Sequence, residues 1–169
     1  MAKRQYMKKI CLLGDGEVGK TSLIRRYVLD IFDDQYIQTF GAKVMKKVLD
    51  LENVTLTIMI WDVLGQKSHD SSVASSFFEG ANGALLVCDM TRPETLDHLR
   101  QWEADLLKVR GKVPIIILGN KSDLEMKIDP LDLQAFADAL GYPAMLTSAK
   151  TGQNVSEAFQ ALSEKLMEG

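Results

Sequence analysis

The sequence predicts an α/β three-layer sandwich: a mostly parallel six-stranded sheet with one antiparallel edge strand, flanked by about five helices. Three observations predict it. Apolar runs of strand length alternate with segments of helical spacing along the chain, and such alternation closes through right-handed crossovers. The run Val113-Pro114-Ile115-Ile116-Ile117-Leu118 is apolar at every position, which suits a parallel strand buried on both faces. Finally, Gly14-Asp15-Gly16-Glu17-Val18-Gly19-Lys20-Thr21 completes a G-x-x-x-x-G-K-[ST] pattern between the first strand-like run and the first helical one, the setting in which such a loop binds phosphate.

The elements follow in order. Strands are expected at Lys9–Leu13, Lys43–Leu51, Val54–Trp61, Ala84–Cys88, Pro114–Leu118 and Ala144–Leu146. The short turn Glu52-Asn53 joins the second and third as a hairpin, which supplies the antiparallel edge. Helices are expected at Lys20–Leu29, Ser71–Glu79, Pro93–Val109, Pro130–Leu140 and Val155–Met167. Pro93 and Pro130 stand where first-turn prolines belong, and Gly111 and Gly141 stand just past helix ends. With 169 residues and no repeat, linker or low-complexity tract, residues 1–169 read as a single domain.

Composition narrows the class. A hydrophobic fraction of 46% and a charged fraction of 25% are ordinary for a globular chain, and a net charge of −3 gives no general pull toward nucleic acid or anionic lipid. The cluster Lys3, Arg4, Lys8 and Lys9 reads as the solvated start of a strand. Cys11 and Cys88 each lie inside an apolar run and read as reduced core thiols, consistent with a cytoplasmic protein. Ala2 and the ending Leu166-Met167-Glu168-Gly169 carry neither a myristoylation nor a prenylation signal, so no intrinsic membrane anchor is expected, and the chain is expected to be a monomer.

Five motifs fall at predicted strand ends, which a parallel sheet brings to one rim. In the phosphate loop, glycines let backbone N–H groups turn inward, Lys20 puts a point charge on the outer phosphates and Thr21 offers a hydroxyl to Mg²⁺. Thr39 lies in the polar segment Tyr36-Ile37-Gln38-Thr39-Phe40-Gly41. Asp62, in Asp62-Val63-Leu64-Gly65-Gln66, emerges from a strand beside the loop and can hold Mg²⁺ through water. In Asn120-Lys121-Ser122-Asp123, the aspartate can accept from the N1–H and exocyclic amine of guanine, a donor pair that adenine lacks. The fifth motif is Ser148-Ala149-Lys150.

In the order and spacing of these motifs the chain resembles the Ras-like small GTPases, members of the P-loop GTPase superfamily, and above all their Rab branch. The likeness runs from about Lys8 to Leu166 and includes Ile60-Trp61-Asp62, Ser75-Ser76-Phe77-Phe78-Glu79-Gly80-Ala81 and Thr147-Ser148-Ala149-Lys150-Thr151-Gly152-Gln153-Asn154-Val155. It implies a guanine-nucleotide switch that hydrolyses GTP slowly to GDP. The residues from Gly14 and Gly16 through Glu17, Val18, Gly19, Lys20 and Thr21 to Ser22 would wrap the phosphates. Thr21 and Thr39 would ligate Mg²⁺ with Asp62 behind them, and the backbone N–H groups of Thr39 and Gly65 would meet the γ-phosphate. Gln66 would orient the attacking water. Asn120, Lys121 and Asp123 would hold guanine, Ser148, Ala149 and Lys150 would complete the base pocket, and Phe32 would pack edgewise on the base, with Tyr36 also at the nucleotide. Loops at about 32–42 and 63–76 would switch, and the implied partners are effectors, exchange factors and GTPase-activating proteins.

The chain also departs from that family pattern. Glu17 replaces Gly or Ala, its carboxylate expected to face solvent; Val63-Leu64 replaces Thr-Ala; Lys67 replaces Glu; Lys43-Val44 replaces Asp-Phe; and the stretch from Gln66 to Phe77 is one residue longer. Glu17 and Leu64 keep open the alternative of a module that holds nucleotide with little turnover. A P-loop ATPase or small-molecule kinase is the third reading, and Asn120–Asp123 argues against it. His69 and His98 read as a solvent-facing loop residue and a partly exposed helix residue.

Overall fold

The computed structural model describes residues 3–30, 42–63 and 76–168. Its strands are β1 (Arg4–Leu13), β2 (Ala42–Asp50), β3 (Val54–Val63), β4 (Gly83–Asp89), β5 (Ile115–Asn120) and β6 (Ala144–Leu146). Its helices are α1 (Lys20–Leu29), α2 (Pro93–Asp97), α3 (Leu99–Arg110), α4 (Pro130–Leu140) and α5 (Val155–Glu168). The strands form one sheet in the order β2-β3-β1-β4-β5-β6, parallel throughout except for β2 against β3, as the sequence predicts.

Most strand ends shift by one or two residues, so that Asp62 and Asn120 fall within β3 and β5 rather than after them, and three further differences have physical reasons. β1 begins at Arg4 because backbone pairing in register with Val54 to Ile58 carries the strand through a polar stretch in which Met7 stays exposed. β5 begins at Ile115 rather than at Pro114, which has no N–H and contributes only a carbonyl, which accepts from Ala84 N–H at 3.0 Å. The single helix expected over Pro93–Val109 divides at His98. That residue keeps φ −67° and ψ −18°, so the joint is a tightened turn of near-3₁₀ geometry rather than a change of direction. Of the helix expected over Ser71–Glu79, residues 76–78 are helical; the part before Ser76 lies outside the described residues.

Period-two alternation along the central strands sends side chains to two cores. On one face Ile10, Leu12, Leu85, Val87, Ile116 and Leu118 pack with Leu23 and Ile24 of α1 and with Phe159, Leu162 and Leu166 of α5. Tyr27 stacks on Phe159 with ring centroids 4.1 Å apart, which joins α1 to α5. On the other face Cys11, Leu13, Leu86, Cys88, Ile115 and Ile117 meet Leu99 and Leu106 of α3 and Phe136 and Ala137 of α4. Because every strand but β2 runs the same way, the carboxyl ends of β1, β3, β4, β5 and β6 lie along one rim.

The two cysteines sit within the second core, and burial pushes both thiols up to about 12. The reactive thiolate is therefore scarce at pH 8, and both should resist a thiol reagent in the native protein and titrate together on unfolding in urea. Rapid native labelling of either would contradict the packing. Phe159→Ala should lower unfolding free energy by about 3–5 kcal/mol in urea denaturation, since the ring is 1% exposed between α1 and the sheet.

Candidate phosphate and base site

The rim is built by where the strands stop. β1 ends at Leu13, and Gly14 turns the chain at φ +148° so closely that an added Cβ would lie 2.2 Å from the Val87 carbonyl oxygen. Gly19, at φ +102°, caps α1, and a Cβ there would lie 2.3 Å from Asn120 Nδ2. These two positions need glycine for space and for dihedral freedom. Between them Glu17 takes φ +65° and leaves its side chain exposed, which is the solvent-facing orientation expected of it.

Lys20 begins α1 and is 6% exposed. Its Nζ donates to the carbonyls of Gly14 at 2.9 Å and Asp15 at 3.0 Å. Burial draws its ammonium down to about 8, against the opposing pull of Asp62 and Asp15. A lysine held this way is a cation fixed at the centre of the loop. The Thr21 hydroxyl makes a close hydrogen bond to Asp62 Oδ2, while burial raises the Asp62 carboxyl against the lowering effect of Thr21, Lys20 and Lys43. Two hard oxygen donors thus meet beside the lysine, one from α1 and one from β3. Among the described residues no group of three or more His, Cys, Asp or Glu could form a metal cage. A hydroxyl and a carboxylate are the hard oxygen donors that fit Mg²⁺, which keeps several waters and takes ligands from a bound phosphate.

The base-side motifs converge from β5 and β6. Asn120 is 1% exposed; its Nδ2 donates to the Val18 carbonyl at 2.9 Å and its Oδ1 accepts from Thr147 at 3.0 Å. Lys121, at φ +65°, crosses the loop to donate to the Glu17 carbonyl at 2.7 Å and to Asp89 Oδ2 at 3.0 Å. Ser148 Oγ donates to Asp123 Oδ1 at 2.7 Å and so fixes that carboxylate. From α1, Arg26 donates to the carbonyls of Ala149 at 2.7 Å and Lys150 at 2.6 Å.

The structure therefore brings together Gly14, Gly16, Glu17, Val18, Gly19, Lys20, Thr21, Ser22, Asp62, Asn120, Lys121, Asp123, Ser148, Ala149 and Lys150. Phe32, Tyr36, Thr39, Gly65 and Gln66 lie outside the described residues, as do Leu64, Lys67 and His69. Sequence reasoning missed Arg26, Asp89, Arg92 and Thr147. Asp89 was findable by the logic that singled out Asp62, since it too is a carboxylate ending an apolar strand at the rim. Burial alone would raise it, but bonds from Thr91 and Lys121 outweigh burial and hold it below the usual carboxylate value. His98 is more than a partly exposed helix residue: its Nδ1 makes a close contact with Asp15 Oδ2.

Two comparisons with known proteins bear on this rim. The model of the Ras family matches residues 9–168. The Ras-related protein RABD2a of Arabidopsis thaliana is 36% identical over 166 residues, spanning 96% of this chain and 81% of that protein.

Glycine substitutions separate loop geometry from loop composition. Gly14→Ala should cost at least about 1–3 kcal/mol of unfolding free energy, because its Cβ would meet backbone rather than a movable side chain. Gly16→Ala, with nothing within 4 Å of its Cβ and no positive φ, should shift the urea midpoint far less. Equal shifts in excess GDP would contradict the loop geometry.

Proposed function

The chain belongs to the Ras family of small GTPases, on its Rab branch, and from that premise we propose how its own residues bind GTP, hydrolyse it and signal the difference. The observation that carries the assignment is the convergence on one rim of a phosphate loop with a buried lysine, a hydroxyl–carboxylate pair and a carboxylate set for a base. Lys20 and the backbone N–H groups of the loop from Gly16 to Ser22 hold the phosphates. Asp123, fixed by Ser148, accepts from guanine; Asn120 and Lys121 line the base and tie it to the loop, and Ala149 and Lys150, held by Arg26, close the pocket. Phe32 and Tyr36 would add contacts to the base and the nucleotide.

Ras-family GTPases are generally Mg²⁺-dependent. In this chain the Thr21 and Thr39 hydroxyls would ligate the ion and Asp62 would act through water. When bound, the ion offsets negative charge on the β- and γ-phosphate oxygens. Gln66 would orient the attacking water, and the Thr39 and Gly65 N–H groups would sense the γ-phosphate. Their release after hydrolysis frees loops at about 32–42 and 63–76. Effectors, exchange factors and activating proteins would read those loops, together with Trp61 and Phe77, whose ring centroids lie 6.4 Å apart. Lys9 Nζ sits 3.9 Å over the Trp61 ring, so the apolar surface carries a cation. We further propose a monomeric, single-domain protein working in the cytoplasm; no helix among the described residues is long and apolar enough to cross a membrane.

The nucleotide-holding alternative loses one support, since an exposed Glu17 need not press on the phosphates. Two measurements test the assignment. Asp123→Ala removes two charge-assisted hydrogen bonds worth about 1.5–3 kcal/mol each, so preference for GDP over ADP should fall about 100-fold or more; an unchanged preference would move base recognition elsewhere. Single-turnover hydrolysis by the isolated chain should run on the order of 10⁻⁴ to 10⁻² s⁻¹, slowed about tenfold or more by Gln66→Leu. An intrinsic rate above about 1 s⁻¹ would contradict a switch that waits for a partner.

A further inference from the structure

The outer side of the phosphate loop is gripped by a segment that none of the five motifs includes. Asp15, the second loop residue, is 9% exposed and directs both carboxylate oxygens at helix α3. Oδ2 meets Nδ1 of His98, and Oδ1 accepts from Nε1 of Trp102 at 3.2 Å. A carboxylate only accepts, so Nδ1 is the protonated ring nitrogen in this contact. His98 is the joint between α2 and α3 and Trp102 follows one turn later, four residues on, so both point the same way. A carboxylate buried to this degree is tolerated because both oxygens are satisfied.

The same residue is held from inside the loop, since its carbonyl accepts from Lys20 Nζ at 3.0 Å. Asp15 therefore links α3 on one side to the phosphate-binding lysine on the other. The next residue is gripped from the same segment, as Arg92 Nη2 donates to the Gly16 carbonyl at 2.7 Å while its Nε pairs with Asp89 at 3.2 Å.

We propose that His98 and Trp102, acting through Asp15, are positioning residues for nucleotide binding: they hold the first half of the phosphate loop and Lys20 in the conformation that retains phosphate. The proposal rests on the GTP-binding reading above. A mere tether of α3 to the sheet would strengthen the fold without setting nucleotide release, and the two roles separate by measurement.

The test is the dissociation rate of a fluorescent GDP analogue from the purified Mg²⁺-bound protein, read beside the urea midpoint. Asp15→Ala, and His98→Ala combined with Trp102→Phe, should speed release about 10- to 100-fold, the scale of one lost charge-assisted hydrogen bond. Trp102→Phe keeps an aromatic ring but loses the Nε1 donor and part of the indole packing against the second core, so it should speed release beyond what its fall in midpoint accounts for. His98→Asn places an amide N–H where Nδ1 stood and should stay within about threefold of wild type. In the Asp15→Ala background the other substitutions should add almost nothing. Release rates unchanged while the midpoint falls would overturn the proposal in favour of a tether, and so would undiminished effects in the Asp15→Ala background. A wild-type protein that never retains the analogue would overturn the GTP-binding reading itself, a result distinct from retention by wild type and variants alike.

Discussion

One buried amide holds the site in register. Asn120 ends β5, donates to the Val18 carbonyl at 2.9 Å and accepts from Thr147 at 3.0 Å, and its own carbonyl receives Met90 N–H at 3.0 Å. A single residue at 1% exposure thus ties the phosphate loop after β1 to the segment after β6 through its side chain and to the segment after β4 through its backbone carbonyl. Buried polar groups of this kind are costly when half satisfied and rigid when fully satisfied, and no buried side-chain nitrogen or oxygen among the described residues lacks a partner. The concavity that suits phosphate depends on Gly19 leaving room for this amide and on Gly14 leaving room for the Val87 carbonyl.

Charge is distributed around that frame so that anion binding is built in before any nucleotide arrives. Lys20 is buried against carbonyls and keeps its cation at the loop's centre. Asp89 collects Arg92 and Lys121, which in turn reach the Gly16 and Glu17 carbonyls. Asp15 reaches the other way, to α3. Three consecutive loop residues are held from outside by groups from two stretches of chain, Arg92 to Trp102 and the loop at Lys121, so the backbone N–H groups are preorganised rather than ordered at the expense of binding energy.

The sequence was most readable where local chemistry and long-range structure agree. Helices α1 and α4 and strand β6 have the bounds that apolar spacing and first-turn proline suggest, and the mostly parallel sheet with one antiparallel edge follows from the alternation plus one short hairpin. The phosphate loop and the base motifs were legible because their residue types are dictated by ligand chemistry. Contacts between protein groups were not. His98 looks like any helix residue until the sheet places Asp15 opposite it, and Arg26 acts on carbonyls more than 120 positions away. The start of β1 was hidden because backbone pairing, not side-chain polarity, decides it.

The family, the buried lysine and the fixed Asp123 together describe a protein whose output depends on the third phosphate. The most direct test is amide hydrogen exchange of residues 32–42 and 63–76 with GDP and with a non-hydrolysable GTP analogue, both with Mg²⁺. Both segments should be more strongly protected in the GTP-analogue form, with the residues around Asn120 protected equally in each. Identical exchange in the two forms would leave a nucleotide-holding protein and contradict the switch.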